Sequence, residues 1–247
     1  VIPHFTLSGP PDAPVLVLGN ALGTTTALWN DFKLPFRPFR LLRFDHPGHG
    51  GSAPVEQATI ESLASGVVEL LDHLELRQVH YCGVSLGGMI GMWLAANTDR
   101  IDRLALICTS AWYEDKTGWD ERMSAIRSAG VRSIADAVVS RWFTPSFSPT
   151  AAARFRDELL RVDEGSYLAC AQAIRDVDLR PELAKIGAPT VVIAAAQDDA
   201  TPPEHARHIA EELPDSELYI VGDAAHLAVV EEPRTISVIL DGHFGVD

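Results

Sequence analysis

The chain is poor in the residues that build disulfide scaffolds, membrane anchors or nucleic-acid surfaces. Its 247 residues include three cysteines, Cys82, Cys108 and Cys170. An odd, widely spaced set argues against a disulfide framework and a cysteine zinc site, and two of the three end apolar runs, as reduced core residues do. No run of about 18 apolar residues occurs, so no membrane-spanning helix is expected. The opening Val1-Ile2-Pro3-His4 has neither the basic nor the apolar region of a signal peptide, which makes a cytoplasmic protein the expectation. Basic residues are scarce, 20 against 34 acidic ones, for a net charge of −14. Such a chain repels phosphates and anionic lipid heads, so neither nucleic acid nor a membrane is an expected partner. Repeats of about 20–50 residues and low-complexity tracts are absent, which excludes solenoids and propellers.

What is present reads as one globular chain, 47% hydrophobic and 22% charged, of a length that suits one large α/β domain or a core with an insertion. Short apolar runs at 15–18, 41–44, 79–82, 104–108, 190–193 and 217–221 predict strands. Helical periodicity fills 60–74, 86–97, 203–213 and 231–244. Strands alternating with helices predict a mostly parallel sheet flanked by helices. The alternation breaks between 110 and 186, where only helical patterns occur. The strongest is Val131, Ile134, Ala135, Val138, Val139 and Trp142, stopped by Pro145 and followed by a new start at Ser148-Pro149. The expected organisation is a core from 1–109 and 187–247 with a helical cap, 110–186, over the sheet edge where open α/β sheets bind ligands.

Gly83-Val84-Ser85-Leu86-Gly87 lies between the 79–82 strand and the 86–97 helix. This is the G-x-S-x-G pattern of a sharp strand-to-helix turn that presents a serine nucleophile. Glycines two residues before and after let neighbouring backbones approach. A serine hydroxyl needs a base. Of the histidines after Ser85, His226 lies in a loop just past the last predicted strand, within Gly222-Asp223-Ala224-Ala225-His226. The orienting acid should follow the preceding strand, where Asp198 and Asp199 stand side by side. Asp198 is the candidate and Asp199 the alternative; neighbours on a turn point apart, so only one of them can reach the imidazole and hold its tautomer. An oxyanion needs preset donors. The Leu86 amide at the helix start is one candidate, and the Leu22 amide in Gly19-Asn20-Ala21-Leu22-Gly23 is the other. His205 and His208 read as a solvated helix face, His243 as a surface residue, and Asp45-His46-Pro47-Gly48-His49-Gly50 as a tight turn; no metal site is expected.

On these residues the chain resembles the α/β-hydrolase superfamily over nearly its whole length. More narrowly it resembles the 3-oxoadipate enol-lactonases, through Asn20-Ala21-Leu22-Gly23-Thr24, Gly83-Val84-Ser85-Leu86-Gly87-Gly88, Arg141-Trp142-Phe143-Thr144-Pro145 and Ala173-Ile174-Arg175-Asp176-Val177-Asp178. Two departures are Pro47, where the family usually has arginine, and the bulky Trp112-Tyr113. The resemblance implies a triad of Ser85, Asp198 and His226, oxyanion donors at Leu22 and Leu86, a small-molecule lactone or ester substrate, and no cofactor or metal. The lactone of that family carries a carboxylate, so a cation should face the pocket. Arg141 and Arg175 are the candidates, with Trp119 and Trp142 as an apolar wall. The competing readings are an esterase for other small esters and a non-catalytic ligand-binding protein.

Overall fold

Apolar runs with almost no polar interruption can be buried on both faces only inside a parallel sheet, and four such runs make its middle. In a computed structural model, which describes residues 1–34 and 37–245, the strands are β1 (Phe5–Ser8), β2 (Val15–Gly19), β3 (Arg40–Phe44), β4 (Val79–Val84), β5 (Ile101–Ile107), β6 (Thr190–Ala195) and β7 (Ser216–Val221). Their spatial order is β1-β3-β2-β4-β5-β6-β7. Only β1 runs antiparallel, against β3; the other neighbours are parallel. Every residue of β2 and β6 is buried, whereas β1 at the sheet edge alternates half-buried with exposed.

Helices α1 (Ile60–His73), α2 (Leu86–Asn97), α8 (Pro203–Glu212), α9 (Ala228–Glu231) and α10 (Pro233–Phe244) flank the sheet. Between β5 and β6 the chain runs through α3 (Thr117–Ala129), α4 (Ala135–Trp142), α5 (Pro149–Leu159), α6 (Glu164–Asp176) and α7 (Arg180–Leu183). The apolar faces of these inserted helices, including Met123, Val138, Phe155 and Ile174, belong to the same continuous core as the strands. No helix among the described residues is long and apolar enough to cross a membrane.

Three local features differ from the sequence reading. Strand β1 has no run in that reading, because four half-exposed residues give little hydrophobic signal. The helix expected over 131–142 is a 3₁₀ turn at Val131–Ser133 followed by α4. The helix expected over 231–244 is broken at Glu232, and Pro233 takes the first position of α10, where its missing N–H costs nothing. Ser148 does cap α5, accepting from the Ala151 amide at 3.3 Å.

Because β2, β4, β6 and β7 are parallel, their C-terminal ends share one edge. The loops carrying Leu22, Ser85, Asp198 and His226 all leave the sheet there.

Candidate active site

Ser85 joins β4 to α2 with φ 55° and ψ −115°, a left-handed conformation unusual for a residue with a side chain. Strain of this kind persists only where surroundings over-determine it. Here the Ser85 amide donates to Ile107 O at 3.0 Å, and the Thr109 hydroxyl donates to Ser85 O at 2.7 Å. The turn also requires backbone contact: a Cβ on Gly83 would lie 2.3 Å from the Gly87 carbonyl, and one on Gly87 would lie 2.4 Å from the Gly19 carbonyl carbon.

The His226 ring donates from Nδ1 to Asp198 Oδ2 at 2.8 Å. Both residues are buried, His226 at 4% and Asp198 at 2% exposure. Asp198 accepts further bonds from the amides of Ala200 and Thr201 at 2.8 and 3.0 Å and from the Thr201 hydroxyl at 2.7 Å. Burial alone would raise its pKa, but the adjacent His226 and the Thr201 donors outweigh burial and hold it at about 2. An ionised carboxylate on Nδ1 fixes the tautomer and leaves Nε2 as the nitrogen able to take a proton. Of the two neighbouring carboxylates, Asp198 is the one paired with His226; Asp199 is exposed at the cavity mouth.

The 20–23 loop is held from four sides through Asn20. Its Nδ2 donates to Phe44 O at 2.7 Å, its Oδ1 accepts from Trp29 Nε1 at 2.8 Å, and its carbonyl accepts from His46 Nε2 at 2.7 Å. The same carbonyl accepts from the Gly87 amide at 2.9 Å. That last bond ties the loop bearing Leu22 to the first turn of α2, whose leading amides have no partner within the helix. Gly23, at φ 85°, donates its amide to His49 Nε2 at 3.0 Å. The turn at 45–50 is therefore more than a connection: its buried histidines buttress the loop. Asp45 does so too, accepting from the Thr26 amide at 2.7 Å.

Ser85, His226 and Leu22 line one cavity of about 250 Å³. Its far wall comes from the inserted helices: Trp119 and Arg122 of α3, Arg141 and Trp142 of α4, and Tyr113 ahead of them. Trp119, Arg141 and Trp142 thus stand where the sequence reading expects substrate contacts. Arg175 does not reach this cavity; its guanidinium is taken up by Asp120 at 2.6 Å and Asp176 at 2.5 Å. Arg122 is the cation that sequence reasoning passes over. It lies 4.5 Å over the Trp119 ring, a cation–π contact that preorients the fork. The Trp119-x-x-Arg122 spacing, which puts both on one helix face, was the available signal. Two further expectations are corrected. His205 and His208 are half-buried against Trp112, with ring centroids at 5.8 and 4.4 Å, and His205 Nδ1 meets Ser110 Oγ at 2.7 Å. His243 is half-buried against Phe244 rather than a surface residue. No group of three or more His, Cys, Asp or Glu side chains that could hold a metal occurs among the described residues.

An elbow serine, a carboxylate-paired histidine and a glycine-bounded loop on one edge of a parallel sheet invite comparison with known proteins. Residues 14–233 match the sequence profile of the alpha/beta hydrolase fold family. The chain is 32% identical over 240 residues to 3-oxoadipate enol-lactonase 2 of Acinetobacter baylyi, covering 95% of this chain and 90% of that one. It is 31% identical over 250 residues to a putative carbamate hydrolase, RutD, of Agrobacterium fabrum, covering 93% of each. Among solved structures it superposes on the enol-lactonase of Burkholderia xenovorans with a TM-score of 0.94 at 33% identity, covering 98% of this chain and 96% of that one. Sequence profile, sheet order and elbow agree, and the chain is a member of the α/β-hydrolase fold family.

Proposed function

We propose that this hydrolase opens 3-oxoadipate enol-lactone to 3-oxoadipate through an acyl-enzyme on Ser85. The observation that carries the reading is the 2.8 Å bond from His226, which lines the same cavity as Ser85, to the buried Asp198 carboxylate. In this reading the Ser85 hydroxyl attacks the ring carbonyl while His226 Nε2 takes its proton. The Leu22 and Leu86 amides receive the developing oxyanion, and the α2 dipole adds to their effect. The ring C–O bond breaks, the enol leaving group is protonated by imidazolium, and it relaxes to the ketone. Water deprotonated by His226 then cleaves the acyl-serine. The step consumes one water and needs no redox partner.

Residues 110–186 act as the cap that shapes the substrate. The substrate carboxylate meets a net charge of −14, but screening over about 8 Å leaves local charge in control. Arg122 is the anchor in this reading, because Trp119 already holds its guanidinium and the side chain is half-buried at the wall. Arg141, exposed at the rim, steers the approach. The likeness to the carbamate hydrolases favours a second reading, cleavage of a small carbamate by the same triad.

A panel decides among these readings. Freshly prepared enol-lactone, a small carbamate and p-nitrophenyl acetate are turned over side by side with Ser85→Ala as control. The expected result is a kcat/KM for the lactone far above the other two. Lactone turnover no better than that of the simple ester overturns the substrate assignment.

A further inference from the structure

We propose that Glu231 is a positioning residue that fixes the His226 loop to the end of cap helix α4. The proposal rests on the reading of His226 as general base.

The backbone on both sides of His226 is held by partners outside its own loop. The Ala225 amide donates to Glu231 Oε2 at 2.7 Å. The Leu227 amide donates to Trp142 O at 2.9 Å. The second oxygen of Glu231, Oε1, accepts from the Thr144 amide at 2.9 Å and from the Thr144 hydroxyl at 2.7 Å. Thr144 lies just past α4, whose last turn gives Arg141 and Trp142 to the cavity wall. The base is thus hung between two bonds that both lead to 142–144, one direct and one through the carboxylate.

The chemistry of the site calls for a carboxylate in particular. Three donors converge on two oxygens, and only an ionised acid offers acceptors alone. A glutamine amide would turn an N–H toward one of those donors. Thr144 and Ala225 are buried, at 7% and 2% exposure, so water cannot freely replace a lost partner and each unmatched amide carries its desolvation cost. Substrate pressing on Arg141 or Trp142 bears on the same backbone that holds Leu227, so cap position and imidazole position are mechanically linked.

The test uses Glu231→Ala, Glu231→Gln, Thr144→Val and Ser85→Ala in the full chain. Readouts are Tm, the end-point of serine titration with a fluorophosphonate, and kcat and KM for p-nitrophenyl acetate per titrated serine. The expected result for Glu231→Ala is a kcat per titrated serine about 10- to 100-fold below the parent, as misplacement of a reacting group by about 1 Å costs, with KM within about threefold. Glu231→Gln recovers part of the loss through its remaining acceptor, and Thr144→Val shows a smaller loss of the same kind. Lower Tm or fewer titratable serines with parental kcat per site in all three variants overturns the proposal and leaves Glu231 a structural residue. Ser85→Ala at parental rate removes the reading on which the proposal stands, and does so independently of Glu231.

Discussion

The Gly23 amide donates a hydrogen bond to Nε2 of His49 at 3.0 Å, so the loop proposed to receive the oxyanion leans on a neutral imidazole. His49 Nδ1 donates in turn to Pro47 O at 2.9 Å. Protonation would turn the acceptor at Nε2 into a second donor facing an N–H. Burial, reinforced by neighbouring His46, lowers the His49 pKa from 6.5 to about 4. The unfolded chain therefore takes up a proton below about pH 6.5, while the folded one resists until about pH 4. Stability is present in full above that range and falls on acidification through it, by at most roughly 3 kcal/mol from this residue. Melting curves at pH 7.5 and 5 should show a smaller acid-induced drop in Tm for His49→Gln than for the parent. Equal drops would remove His49 from the account.

Asp198→Asn keeps the shape of the site but loses the charge that fixes the His226 tautomer, and kcat should fall about 10⁴-fold. Asp199→Asn, at an exposed position without a bond to His226, should cost far less. Steady-state kinetics on a chromogenic ester distinguish the two carboxylates, and a reversed ranking contradicts the assignment.

Arg122→Leu should raise KM for the carboxylate-bearing lactone about 10- to 100-fold, the worth of a charged hydrogen-bond partner, and change that of a neutral ester little. Arg175→Leu, whose partners are Asp120 and Asp176 outside the cavity, should leave both values near the parent. Loss of affinity for both substrates alike in Arg122→Leu would mark it as packing rather than anchor.

Gly83→Ala places a methyl carbon 2.3 Å from the Gly87 carbonyl, with backbone on the opposing side that cannot swing away. A stability loss of about 1–3 kcal/mol or more is expected from such overpacking. Chemical denaturation measures it. An unchanged midpoint would mean that the elbow is looser than these contacts require.

Much of the site was legible because its residues obey local rules. Ser85 lies in a strand–turn–helix pattern, and Asp198 and His226 each follow a parallel strand, β6 buried throughout and β7 partly exposed at the sheet edge, so parallel topology brings their loops to one edge. Divergence of turn neighbours implies that only one of Asp198 and Asp199 can reach the imidazole but does not say which; the Ala200 and Thr201 donors are what turn Asp198 inward. Contacts between distant segments were not legible. Glu231 meets Thr144 across 87 positions, His49 meets Gly23 across 26, and neither pair leaves a periodicity or spacing to read. Arg175 misled because a cap arginine in a telling motif looks the same whether its fork faces a substrate or two aspartates.

The most direct test of the account is mass spectrometry of enzyme quenched during turnover of p-nitrophenyl acetate. A transient acetyl adduct on Ser85 is expected, found on the peptide spanning 79–97 and missing in Ser85→Ala, which turns over at least about 10⁴-fold more slowly. Parental turnover by Ser85→Ala, or an adduct that forms and decays at turnover rate on another side chain, would contradict it.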